Sequence, residues 1–190
     1  MSIPGIDLTV SGMTPLDCGD SDADFDVLII GTGGAGVAAA IQTAGMGGKV
    51  AIIEAGTLGG TCVNVGCIPS KNLIEVAAHY HAARHGFQGI APCAPRLDWK
   101  TVIAQKDALV TELRQAKYAD VLASYPGVAL LSGRARLVGG GGASGPVVVR
   151  VGDGTTTREH RVRKVVIATD RKSTRLNSSH ERLSRMPSSA

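Results

Sequence analysis

The chain has 190 residues and no uncharged apolar run long enough to cross a bilayer, which takes about 20 residues. Its start, Met1 to Gly5, lacks both the basic and the apolar stretch of a secretory leader, so a cytoplasmic setting is expected and membrane attachment is not. Cysteine is scarce. Four in the whole chain, without secretory features, do not make a disulfide scaffold, and Cys18 and Cys93 read as ordinary thiols. A basic body is also missing. The formal charge is +4, but residues 171–190 hold five basic side chains (Arg171, Lys172, Arg175, Arg182, Arg185) against Glu181, which accounts for all of it. Nucleic-acid binding needs the basic patch on the folded domain and is therefore not expected. His79, His81 and His85 lie close together, with 81 and 85 one helical turn apart. No acidic residue or cysteine completes a metal set with them, so solvated histidines are expected.

What is present begins at Asp26. Val27 to Ile30 is a short apolar run that fits a strand buried on both faces. Gly31-Thr32-Gly33-Gly34-Ala35-Gly36 follows at once, then an alanine-rich helix from Val37 to Met46 closed by Gly47-Gly48. A second strand, Val50 to Ile53, ends at Glu54, eighteen positions after Gly36. Strand, glycine turn, helix, strand and terminal acid together form a dinucleotide fingerprint. Gly31 permits the tight turn, Gly33 lets amides approach a pyrophosphate, Gly36 allows close helix packing, and Glu54 is suited to ribose hydroxyls.

The second chemical stretch runs from Gly59 to Lys71, GGTCVNVGCIPSK. It carries Cys62 and Cys67, five positions apart. A helix rising about 1.5 Å per residue would hold their alpha carbons farther apart than the roughly 7 Å limit for a disulfide, so a bonded pair requires a non-helical loop. Asn64 and Gly66 suit left-handed backbone there, and Pro69 suits the first turn of the helix that follows. Cys67 then lies where amide dipoles favour a thiolate. By themselves the two cysteines could equally be a structural disulfide, a zinc half-site or buried thiols.

This spelling, behind that fingerprint, closely resembles the redox-active disulfide of the flavin disulfide reductases, the family of dihydrolipoamide dehydrogenase, glutathione reductase and mercuric reductase. The wording GTCVNVGCIPSK, and the later segment Glu112-Leu113-Arg114-Gln115-Ala116-Lys117-Tyr118, stand nearest the mercuric reductase branch. The resemblance runs from about Asp26 to Thr169. It implies a Rossmann-like α/β FAD-binding domain with a parallel sheet and a β-meander, here truncated. It also implies FAD at Gly31, Gly33, Gly36, Glu54, Gly60, Thr61, Cys62 and Lys71, with backbone near Ala135 at the adenine and Thr169 beside the flavin. In the intact enzyme NADPH would supply electrons and Cys62 and Cys67 would be the redox pair. Cys67 would stand nearer the flavin and Cys62 would face the substrate, Hg(II), which both would bind transiently as metal ligands. A homodimer is implied, and dihydrolipoamide dehydrogenase chemistry or a non-catalytic thiol module for soft metals are the alternatives.

Further along, a helix from Cys67 to about Ala83, a loop over Gly86–Arg96 and a long helix from Trp99 to about Ser124 capped by Asp98 are expected. The family resemblance implies that these two helices pack on the sheet and on each other. Short strands follow at Val128–Leu131, Leu137–Val138, Val147–Val151, Arg158–Val162 and Val165–Thr169, with hairpin turns at Gly139–Gly142 and Asp153-Gly154. The expected division is a flexible leader over 1–24, a partial FAD-binding domain with the redox disulfide over 25–170, and a disordered tail over 171–190. The leader has Gly12-Met13-Thr14 but only Cys18 nearby, so the metal-binding module with a GMTCxxC motif found in many relatives is not expected. From Asp170 the family pattern stops and a serine-rich basic stretch begins. It resembles adapter sequence joined to an incomplete gene, a natural basic tail being the alternative. The nicotinamide and interface domains are then absent, and weak FAD binding without turnover is expected of the chain itself.

Overall fold

Two apolar runs, Val27–Ile30 and Val50–Ile53, are hydrophobic at every position because both of their faces are covered, and they form the centre of the sheet. The computed structural model describes residues 23–140 and 145–169. The rest of the expected leader and tail, and part of the Gly139–Gly142 turn, lie outside those residues. Strand β1 (Phe25–Ile30) is followed by helix α1 (Gly34–Gly45) and β2 (Val50–Glu54), which lies parallel to β1 with Ile29 opposite Ile52. β3 (Val128–Ser132) continues the parallel set beyond β2. A meander of β4 (Arg134–Gly140), β5 (Val147–Gly152) and β6 (Thr157–Ile167) completes a six-stranded sheet in the order β3-β2-β1-β6-β5-β4.

Alternation of side chains divides the core in two. Val27, Ile29, Val50 and Ile52 face α1, where Val37 and Ala40 cover them together with Leu122. Leu28, Ala51 and Ile53 face the other way and are covered by Val149, Val151 and Val162 of the meander. The expected α/β class with parallel sheet and meander is what the chain adopts.

Several elements differ from expectation. Arg158–Val162 and Val165–Thr169 are not two strands; β6 runs unbroken over eleven residues, antiparallel to β5 at its start and parallel to β1 at its end. Between the two expected segments Arg163 Nη1 reaches Asp26 Oδ1 at 3.3 Å and Lys164 stays in register opposite Val27, so the strand continues. Asp24, expected in the leader, is tied to the same strand: its amide donates to Arg161 O at 2.8 Å and its carboxylate accepts from Arg161 N at 2.9 Å.

The long helix after Asp98 is α4 (Trp99–Arg114), a π turn (Gln115–Ala119) and α5 (Asp120–Ala123). Its cap is as expected, with Asp98 Oδ1 accepting from Lys100 N and Thr101 N at 3.1 and 3.3 Å. Helix α3 (Cys67–His85) packs against α4 and has Pro69 as its one buried residue, so it stands off the sheet instead of lying on it.

Candidate active site

The glycine turn has the geometry its spelling requires. Gly31 has φ +106°, and a Cβ there would stand 2.7 Å from Ala168 O at the end of β6. A Cβ on Gly36 would stand 2.0 Å from Gly31 O, so only glycine lets α1 lie this close to the turn. Gly33 is different, because a Cβ on it would meet nothing within 4 Å. It caps α1, whose first turn has no side-chain cap and no acidic residue, leaving amides and the positive end of the helix dipole open on that side. An absent side chain facing open space at an uncapped helix start suits a dinucleotide pyrophosphate.

Glu54 ends β2 and is held from two sides: Thr32 Oγ1 donates to Oε2 and Gly56 N donates to Oε1 at 2.7 Å. Each oxygen keeps a lone pair for a ribose hydroxyl. Beside it is a cleft of about 420 Å³ lined by Glu54, Gly56, Leu58, Gly133 and Arg134 among others. Gly133 N donates to Glu54 O at 2.8 Å, closing one wall. Ala135 packs against the second core, so its neighbours Gly133 and Arg134 form the wall. Thr169 stands at the end of β6, its Cα 3.2 Å from where a Gly31 Cβ would be.

The cysteine stretch is not one loop, as the disulfide limit had suggested. Cys62 lies within the short helix α2 (Gly60–Asn64), and Cys67 is the first residue of α3. The break that lets them meet is confined to Val65 and Gly66, and Gly66 N turns back to donate to Thr61 O at 2.7 Å. The left-handed residues are Gly59 (φ +98°) and Gly60 (φ +67°), not Asn64 or Gly66. Asn64 is helical and uses its side-chain amide, Nδ2 donating to Leu58 O at 2.9 Å and Gly60 O at 2.8 Å. Gly66 is required by proximity, since a Cβ would stand 2.9 Å from Thr61 O.

Cys62 and Cys67 are exposed free thiols. Hydrogen bonding to the Cys67 side chain, then burial, then the Cys67 charge push the Cys62 thiol above its ordinary value, while the Cys67 backbone and the ammonium of exposed Lys71 oppose them. Gly60 joins the pair to the dinucleotide turn: a Cβ on it would stand 2.8 Å from Gly33 Cα. The three histidines are set apart from this site. His79 contacts Glu75 at 3.2 Å, an acid that sequence reasoning overlooked, and His81 stacks on His85 at 3.9 Å. No group of three metal-ligating side chains occurs among the described residues.

Sequence reasoning missed four contributors. Thr32, fully buried, accepts from Gly59 N at 3.1 Å and so couples the glycine turn, Glu54 and the cysteine stretch. Arg114 Nη1 donates to Asn64 Oδ1 at 3.0 Å, and the Tyr118 ring lies beside Gly59. The signal for Thr32 was a hydroxyl inside an otherwise apolar and glycine stretch, while the others join positions some fifty residues apart that no local pattern connects.

A family model described as pyridine nucleotide-disulphide oxidoreductase matches residues 25–182. The chain belongs to that family. Within the pyridine nucleotide-disulphide oxidoreductases it is 42% identical to a mercuric reductase of Bacillus cereus over 120 residues, covering 63% of this chain and 19% of that protein. A mercuric reductase of Streptomyces lividans is 43% identical over 135 residues, covering 70% and 27%. Among solved structures, the HOCl-induced flavoprotein disulfide reductase RclA from Escherichia coli superposes with a TM-score of 0.60 at 29% identity, covering 78% of this chain and 28% of that one. The chain thus spans 19% and 27% of the lengths of these two curated relatives.

Proposed function

We propose that this chain is the FAD-binding, redox-cysteine portion of a mercury(II) reductase whose intact form is a cytoplasmic homodimer that uses NADPH to convert Hg(II) to Hg(0). The observation that carries the reading is the contact of Gly60 with Gly33, which sets the helix bearing Cys62 beside a dinucleotide turn. Identity of about 42% to mercuric reductases supports the choice of substrate. Bound at this turn, FAD supplies two-electron transfer between a reduced nicotinamide and a disulfide.

The chain's own residues have separate tasks in this reading. Gly31, Gly33 and Gly36 shape the turn, whose amides hold the pyrophosphate, and Glu54 orients the ribose. Gly60, Thr61, Lys71, Thr169 and the backbone near Ala135 surround the rest of the cofactor. Cys62 and Cys67 cycle between disulfide and dithiol and, when reduced, hold Hg(II), whose softness favours two thiolates over oxygen or nitrogen donors. Cys62 retains its proton longer because of the contact with Cys67, so it gives up that proton as the metal binds. The electron balance is NADPH + Hg(II) giving NADP⁺ + H⁺ + Hg(0).

The test uses the full-length gene product. NADPH oxidation that requires Hg(II), is lost in Cys62→Ser and Cys67→Ser, and is not supported by lipoamide is the expected result. Oxidation with lipoamide but not Hg(II) would overturn the substrate assignment in favour of dihydrolipoamide dehydrogenase chemistry. Stoichiometric Hg(II) binding with no flavin and no turnover would favour a sequestering thiol module.

A further inference from the structure

The segment Glu112–Tyr118 stands out in the sequence and has no role in the proposed chemistry. Arg114 immediately precedes the π turn and Tyr118 lies within it, at the one interruption in the helix that begins at Trp99. Asp120 N donates to Gln115 O, skipping five residues instead of four, and Gln115 Nε2 bonds Asp120 Oδ1 at 2.7 Å across the same stretch.

Both side chains reach helix α2, at opposite ends. Arg114 bonds the carbonyl oxygen of the Asn64 side chain, at the last residue of α2, and this fixes which way the Asn64 amide faces. Its nitrogen is then committed to Leu58 O and Gly60 O, at the start of the same helix. Tyr118 backs Gly59, the N-cap of α2: a Cβ on Gly59 would stand 3.2 and 3.4 Å from Cδ2 and Cε2 of the ring. The ring rests in turn on the core beneath α1. Burial pushes the Tyr118 phenol up, and the charges of Cys62 and Cys67 push it the same way.

We infer that Arg114 and Tyr118 are positioning residues that clamp the two ends of the helix bearing Cys62 and so set how favourably its sulfur bonds to that of Cys67. The inference rests on the reading of the two cysteines as a redox pair. Cys67 belongs to a different helix, so the distance between the sulfurs depends on how firmly α2 is held. A firm clamp raises the effective concentration of one thiol at the other and favours the disulfide. Loosening it makes the disulfide easier to reduce.

The experiment equilibrates the full 190-residue chain with reduced and oxidised glutathione and reads the fraction of intramolecular disulfide by mass. Two thiols give up two electrons and two protons, and one glutathione disulfide becomes two glutathiones. Arg114→Met and Tyr118→Ala are each expected to lower the formation constant at least tenfold, raising the potential by about 30 mV for a two-electron couple. Tyr118→Phe, which keeps the ring, is expected to stay within about twofold of wild type. A melting curve for each variant separates this from loss of fold; should Tyr118→Ala not fold, Arg114→Met decides. If both variants lose stability while their constants match wild type, the two residues are only structural and the inference fails. If the wild-type chain forms no intramolecular disulfide at any glutathione ratio, the redox-pair reading fails and the inference falls with it.

Discussion

The three fingerprint glycines do different work at the residue scale, and alanine substitution separates them. At Gly36 an added methyl would overlap the backbone carbonyl of Gly31, whose oxygen would stand 2.0 Å away, and that backbone cannot yield cheaply. Gly36→Ala is expected to cost roughly 3 kcal/mol in urea unfolding. At Gly33 the methyl enters open space, so Gly33→Ala is expected to leave stability within about 0.5 kcal/mol of wild type. It would still occupy the surface at which the proposed function puts the pyrophosphate, and on that proposal FAD affinity measured by flavin fluorescence is expected to fall at least tenfold, about 1.4 kcal/mol. Equal effects of the two substitutions would contradict this division. The cysteines allow a second comparison. The largest cause raising the Cys62 thiol is its bond with Cys67, and the one charge opposing it is Lys71. The iodoacetamide rate profile of Cys62 is therefore expected to move to lower pH in Cys67→Ala and to higher pH in Lys71→Met. Movement of either in the other sense would show that different groups control the thiol.

At the scale of elements, much was legible wherever a local rule decided the outcome. Buried parallel strands announce themselves as unbroken apolar runs, and the Asp98 cap and Asp153-Gly154 turn are written in residues that bond their own neighbourhood. Cys62 and Cys67 illustrate the opposite case, because the spacing argument excluded one continuous helix but not two helices broken at Val65-Gly66. The π turn was hidden for a related reason, since its residues fit an ordinary helix and only the hydrogen-bond shift reveals it. The β5–β6 hairpin offers a pH test. Asp153 accepts from Thr155 N and Thr156 N, both at 3.0 Å, and from the Thr155 hydroxyl at 2.8 Å, which lowers its carboxyl to about 2. Because the folded value lies below the unfolded one, the stabilisation is complete above about pH 4 and is lost as pH falls toward 2. The stability difference between wild type and Asp153→Asn is expected to be constant near neutrality and to shrink across that acid range. A difference unchanged down to about pH 2 would mean the carboxylate charge contributes nothing to the turn.

At the scale of the whole molecule, the centre of the sheet is covered, but parts of its other strands, with Leu130, Leu137 and Ile167 exposed, and the helical arm are not. No helix among the described residues is long and apolar enough to cross a membrane, yet Ile74, Phe87, Ile90 and Trp99 are 66%, 78%, 66% and 56% exposed. They lie on α3, in the loop after it and at the start of α4, away from both core clusters. Sequence patterning could not show this, since an apolar residue on a helix reads the same whether a neighbour covers it or not. Apolar surface of this kind drives association in water at about 25 cal/mol per Å² buried. In sedimentation velocity the chain alone is therefore expected to gain mass with increasing concentration. Ile74→Lys with Phe87→Lys should reduce that gain without lowering the melting temperature, because neither side chain supports the core. Were the wild-type chain to stay monomeric at every concentration, the arm would have to fold onto itself and cover these residues. The same double substitution would then lower the melting temperature, so the pair of measurements separates an arm that seeks a partner from one that is already satisfied.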